Sequence, residues 1–226
     1  MPLADYETDA LTTSTGDLEL TCLGHGSLLF THDRKRIYVD PFGRIADYST
    51  LPKADLVLIT HEHQDHLDPE ALAQIRTGET DVICTERCAD RIEGGLPMRN
   101  GDVAVVRGLQ IESIPAYNLV HCRENGDPFH PCGHGNGYVV TFGDVRVLIA
   151  GDTENTPELK AQAAIDIAFL PMNLPYTMTP AMVADVALAM KPRILYPYHF
   201  GNTDTSELVG LLKDHPEIEI RIRSLA

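Results

Sequence analysis

The chain has 226 residues, enough for one domain with a sizeable core, and 43% of them are hydrophobic, which excludes a disordered chain. Its 33 Asp and Glu against 18 Lys and Arg give a formal net charge of -15, a surface that repels nucleic acid and anionic lipid. No apolar run approaches a membrane span, residues 1–17 lack the basic and apolar regions of a signal peptide, and the 5 cysteines suggest no disulfide framework, so a reducing cytoplasm is expected.

Residues 1–17 read as an N-terminal extension and 18–226 as the folded domain. Leu18 to Cys22 and Ser27 to Thr31 flank the Gly24-His25-Gly26 turn as a hairpin, and Arg36 to Asp40 is a further strand. The apolar run from Leu56 to Thr60 reads as a short buried strand. Asp68 caps a helix that carries Pro69 at its first position. Val82 to Cys84 is a strand, and Glu86 to Glu93 a helix ended by Gly94-Gly95, with Cys84 and Cys88 as small core residues. Val103 to Val106 and Ile111 to Ile114 pair across Gly108, and Tyr138 to Phe142 and Val145 to Ile149 form a hairpin over Gly143-Asp144. Thr156-Pro157-Glu158 opens one helix, and Thr179-Pro180 opens another that runs to Met190. After a strand at Arg193 to Leu195, Asp204-x-x-Glu207 starts the last helix, Ser206 to Lys213, and Ile218 to Ile222 is a final strand. Periodicity alone establishes an α/β chain.

The run His61-Glu62-His63-Gln64-Asp65-His66 directly follows the strand at Leu56, where α/β sheets place their ligand sites. His61 and His63 are two residues apart, so a locally extended backbone turns both rings the same way, while Asp65 and His66 face a second point. Imidazole nitrogen with carboxylate oxygen is ligand chemistry for Zn, Mn or Fe.

This H-x-H-x-D-H run resembles the signature of the metallo-β-lactamase superfamily. Ala150-Gly151-Asp152-Thr153, after the strand ending at Ile149, resembles the family's bridging-aspartate motif. Tyr196-Pro197-Tyr198-His199 resembles its last metal histidine. Leu23-Gly24-His25-Gly26 and Asp40-Pro41-Phe42 resemble the opening of the branch with ascorbate-6-phosphate lactonase and N-acyl-phosphatidylethanolamine phospholipase D. The resemblance covers Leu18 to the C-terminus. It implies an αββα sandwich with a metal cleft along one edge, and two divalent ions, foremost Zn, with Mn or Fe as alternatives. His61 and His63 then hold one ion, Asp65, His66 and His199 the other, and Asp152 bridges both.

The first ion's third histidine is missing. The family motif Pro-Ala-x-His reads Pro115-Ala116-Tyr117-Asn118 here, and a neutral amide oxygen is a poor zinc ligand beside imidazole. The loop to Asn136 offers His121, His130 and His134. Phe129-His130-Pro131 resembles a segment of a sub-branch that shares Pro-Ala-Tyr-Asn, so His130 is the chosen ligand, with His134 and then His121 as alternatives, and replacing Asn118 is expected to change nothing. His25 is expected to contact substrate or orient a ligand. Tyr176, in a loop with Asn173 and Thr177, can donate to a developing oxyanion, and Asp65 can orient the nucleophile. The resemblance implies a hydrolase that uses a metal-bound hydroxide on a lactone or phosphoester of a small, soluble, anionic metabolite, with no nucleic-acid or membrane partner. An iron-dependent oxidoreductase or dioxygenase of the same fold and a non-enzymatic metal-binding protein are the alternatives.

Overall fold

Apolar residues alternate between two destinations along most strands, which places a sheet between two hydrophobic layers in each half of the chain. A computed structural model describes residues 2–226. The first half lays down β1 (Glu7–Thr13), β2 (Gly16–Gly24), β3 (Ser27–His32) and β4 (Lys35–Val39) as an antiparallel meander. It then adds β5 (Leu56–Leu58), β6 (Asp81–Cys84) and β7 (Leu96–Pro97) in parallel. The second half repeats that plan with β8 (Val103–Val106), β9 (Leu109–Ala116), β10 (Gly135–Phe142) and β11 (Val145–Ile149) antiparallel. The strands β12 (Ile167–Pro171), β13 (Ile194–Tyr198) and β14 (Glu219–Ile220) follow in parallel.

In β4, Ile37 and Val39 enter the core shared by the two sheets, while Tyr38 points to the outer layer. That outer layer is covered by α1 (Pro69–Ile75) and α2 (Glu86–Ala89). The outer face of the second sheet is covered by α3 (Pro157–Lys160), α4 (Pro180–Met190) and α5 (Thr205–Leu211). The architecture is the expected αββα sandwich. Helix starts follow the capping residues, since the side chains of Asp68, Thr156, Thr179 and Asp204 each accept a backbone N–H of the first turn.

Four local readings change. The helix at Glu86 stops at Ala89, because Arg91, Ile92 and Gly95 bond back three residues instead of four. The final strand shortens to Glu219–Ile220. The buried strand β12 and the two-residue β7 went unread; β12 is covered on both faces, so its run is apolar throughout and carries no alternation. Residues 7–13 of the extension form β1, in register with β2 from Glu7 opposite Cys22 to Thr13 opposite Gly16.

Asp9 on β1 ties the chain ends together. Its carboxylate accepts from the Tyr196 hydroxyl at 2.7 Å and from Arg223 at 2.8 and 3.0 Å. Asp9→Ala is expected to cost about 1.5–3 kcal/mol, the range for hydrogen bonds to charged groups, read from the denaturant midpoint. Burial raises the Asp9 carboxyl, but the donors from Arg223 and Tyr196 outweigh it and hold it below the usual carboxylate range. The contribution is therefore full above pH ~4 and fades as pH falls through the lowered value.

Candidate metal centre

Ligand-type side chains arrive from five strand ends at one edge of the sandwich. Beyond β5 the chain turns sharply, with the His66 and Leu67 amides bonded to the His63 carbonyl at 3.0 and 2.8 Å, which folds His61, His63, Asp65 and His66 over one point. Asp152 follows β11 through Gly151, whose φ of +66° and whose approach to the Asn136 carbonyl leave no room for a Cβ. The Tyr198 hydroxyl accepts the Gly151 N–H at 2.9 Å and fixes that turn. His199 follows β13, and His25 sits between β2 and β3. A Cβ at Gly26 would lie 3.1 Å from the His66 ring and 3.4 Å from the His199 ring, so glycine there admits the imidazoles. His25, Asp40 and His199 all have left-handed backbone, with φ of 52, 43 and 47°. Such conformations cluster at functional sites.

The side chains form two groups joined by one carboxylate. His61, His63 and His130 offer nitrogen atoms within 4.8 Å of one another, and so do His25, Asp65, His66 and His199 with their nitrogen and oxygen atoms. Asp152 spans them. Its Oδ2 lies 3.2 Å from His130 Nε2 and 4.0 Å from His61 Nε2. Its Oδ1 lies 3.5 Å from His66 Nε2 and 3.8 Å from His199 Nε2. Asp65 Oδ2 faces His25, His199 and His66 at 3.0, 3.4 and 3.7 Å. Three buried polar atoms here, His66 Nε2, His199 Nε2 and Asp152 Oδ1, have no hydrogen-bond partner. Buried groups normally find one, so atoms left open toward a common point fit a cation.

The opposite ring nitrogens are tied down. His66 Nδ1 lies 2.8 Å from Asp40 Oδ2, and that carboxylate also accepts the Thr60 N–H and hydroxyl at 2.8 and 2.6 Å. With its proton given to Asp40, Thr60 Oγ1 accepts from His61 Nδ1 at 3.0 Å. Asn118 Oδ1 receives His130 Nδ1 at 2.7 Å. These contacts leave the Nε2 lone pairs of His61, His66 and His130 for the centre, as outer partners of metal-ligating histidines do.

Proton affinities follow from the same packing. Burial and the neighbouring His66 charge push His61 well below the ordinary histidine range. Burial raises the Asp152 carboxyl, but the charges of His199 and His66 and the His130 contact hold it well below the carboxylate range. For Asp65, burial is likewise outweighed by the His199 and His25 imidazoles that face it, which hold it well below the carboxylate range.

Asp65, Asp152, His63, His130 and His199 line a cleft of about 370 Å³ with Arg123, Phe129, Asn173 and Tyr176. Tyr176 stands on its rim, 45% exposed, with its ring edge-on to Phe129 at 5.0 Å. Of the alternatives to His130, His121 is turned away, its Nδ1 2.5 Å from Glu154 Oε1. His134 lines a separate recess with Glu86, Arg99 and Asn100. The sequence reading gave no role to Glu154 or Thr60 and used Asp40 only as a mark of the branch. Glu154 is fully buried and accepts the Leu119, Val120 and His121 amides at 2.7, 2.7 and 2.8 Å. A Glu two residues beyond the Asp152 turn was the one available signal.

Residues 19–199 match the model of the Beta-lactamase superfamily domain. A UPF0173 metal-dependent hydrolase of Methanopyrus kandleri is 30% identical over 200 residues, 81% of this chain and 84% of that protein. A crystal structure from Parabacteroides distasonis, of a protein inferred to be a metal-dependent hydrolase, superposes with a TM-score of 0.93 at 45% identity, over 98% of this chain and 100% of that one. Igni18, a metallo hydrolase of Ignicoccus hospitalis, shares the fold with a TM-score of 0.76 at 23% identity, over 92% of this chain and 96% of its own. Among the described residues, no helix is long and apolar enough to cross a membrane.

Proposed function

Because the chain belongs to the metallo-β-lactamase superfamily and is a metal-dependent hydrolase of that family, we propose that it cleaves a lactone or phosphoester bond in a small anionic metabolite at a two-metal centre. The observation that carries this reading is the division of Asp152, one oxygen toward each histidine group, beside three open buried atoms. His61, His63 and His130 hold one divalent ion and Asp65, His66 and His199 the other, foremost Zn, with Mn or Fe as alternatives. When bound, such ions polarise the scissile oxygen and lower the pKa of a water toward about 7.

The protein's own groups do the rest. Asp65 is the carboxylate of the second group that stays partly open to the cleft, 37% exposed, so it can orient the attacking water. His25 Nε2, 3.0 Å away, holds that carboxylate in place. Tyr176 offers its hydroxyl at the rim as a donor to the developing oxyanion.

Arg123 supports an anionic substrate. It brings a guanidinium to the cleft wall of a chain whose net charge is -15. Its Cζ packs 5.2 Å from the Phe129 ring centroid, and its Nη2 donates to the Phe129 carbonyl at 3.4 Å. A cleft of about 370 Å³ suits a small metabolite. The test is a panel of lactones, phosphomonoesters, phosphodiesters and thioesters with metallated protein, against Asp65→Ala. Arg123→Ala is expected to raise KM for the preferred anionic substrate about tenfold with little change in kcat. Turnover that is unaffected by Asp65→Ala does not come from this centre and overturns its role; no turnover on any substrate sinks the hydrolase assignment, and oxygen consumption by iron-loaded protein then separates iron-dependent oxidation from metal binding alone.

A further inference from the structure

We infer that Asn118 is a positioning residue: a buried chain from Glu154 through Asn118 fixes the His130 ring so that its Nε2 lone pair faces the metal centre. This rests on the metal-site reading above and reverses the expectation that Asn118 is a bystander. Every hydrogen-bonding slot of the Asn118 amide is filled. Its Nδ2 donates to Glu154 Oε1 at 3.0 Å and to the Tyr176 carbonyl at 2.9 Å. Its Oδ1 accepts the His130 backbone N–H at 2.8 Å and His130 Nδ1 at 2.7 Å. The loop backbone closes the same pair, with the Asn118 N–H on the His130 carbonyl at 2.9 Å.

The polarity of the chain is forced at each link. Backbone amides only donate, so the three on Glu154 hold an acceptor there. Glu154 and the Tyr176 carbonyl both accept, so the amide must present its nitrogen end to them. Its oxygen end then faces His130, where a backbone N–H confirms an acceptor. Nδ1 of His130 must therefore carry the proton, and in the neutral ring the lone pair lies on Nε2. Asn118 and His130 are 7% and 5% exposed, so water is a poor substitute for either contact. The asparagine at the family's histidine position thus acts on the centre through the histidine twelve residues on.

The experiment is a zinc titration against a competing chelator with wild-type protein, His130→Ala, Asn118→Ala and Asn118→Asp, with circular dichroism of each metal-free protein. Asn118→Ala is expected to weaken one of two equivalents by 10–100-fold, the usual effect of losing an outer partner, and to leave the other unchanged. That second equivalent is an internal control that a general loss of structure would also move. Asn118→Asp keeps an acceptor toward His130 but supplies at most one of the two donors that Glu154 and the Tyr176 carbonyl require, so it should weaken the same equivalent, and less than Asn118→Ala does. Should the alanine variant not fold, Asn118→Leu, of similar volume, takes its place. Equal affinities in wild type and Asn118→Ala, or equal weakening of both equivalents, overturns the inference. Wild-type protein that takes up no zinc overturns the metal-site reading itself.

Discussion

Asp152→Ala is expected to lower hydrolysis by on the order of 10³-fold and to lose at least one equivalent of metal. The carboxylate is 5% exposed and lies within 4.0 Å of nitrogen atoms from His61, His66, His130 and His199. No other carboxylate of the centre faces both histidine groups: Asp65 faces His25, His66 and His199, and Asp40 is engaged by His66 and Thr60. Removing the negative charge leaves four imidazoles facing one another around a cavity, which disfavours any further positive charge. Asp152→Asn keeps the volume and one acceptor oxygen, so it separates shape from charge; it should lose nearly as much activity. Metal should raise the melting temperature of wild-type protein, because it binds only the folded state, and chelator should reverse this. In the alanine variant the difference in melting temperature with and without chelator should be smaller than in wild type. Full metal content and full activity in Asp152→Ala would falsify the shared-carboxylate role.

How much of this was legible depends on distance along the chain. His61 to His66 could be read because the cluster is local and follows an apolar strand. Asp152 and His199 could be read from their order after strands, once the resemblance supplied a template. Their supporting partners could not. Asp40 is 26 residues from His66, and Glu154 is 36 from Asn118, and pairing buried acceptors with donors at such separations needs the tertiary structure. Asn118 misled for a related reason: an amide is a poor ligand by residue type, but type says nothing of a role through a neighbour. In the fold, β12 was hidden by burial on both faces. β1 was hidden for the opposite reason: its sequence Glu7 to Thr13 is mostly polar because it is an edge strand with few buried side chains.

Asp40→Ala is expected to destabilise the metal-free protein by about 3–5 kcal/mol, the cost of breaking a buried charge pair by removing one partner. Asp40 and His66 are both fully buried, and the same carboxylate satisfies the Thr60 N–H and hydroxyl. Alanine would orphan three donors at once. Burial alone would lower His66, but the charges of Asp152 and Asp40 raise it to about 10. A raised value means the pair's contribution is full below pH ~6.5 and is lost as pH climbs through about 10. Wild-type stability in chelator should therefore fall across that window, and Asp40→Ala should show a flatter profile there from a lower plateau. Asp40→Asn keeps an acceptor for one donor and should fall between the two. Restoring metal should recover little in the alanine variant, since its His66 ring is no longer held with Nε2 toward the centre. Denaturant melts at pH 6 and pH 10 measure all of this. A metal-free Asp40→Ala protein as stable as wild type at both values would show that His66 does not depend on Asp40.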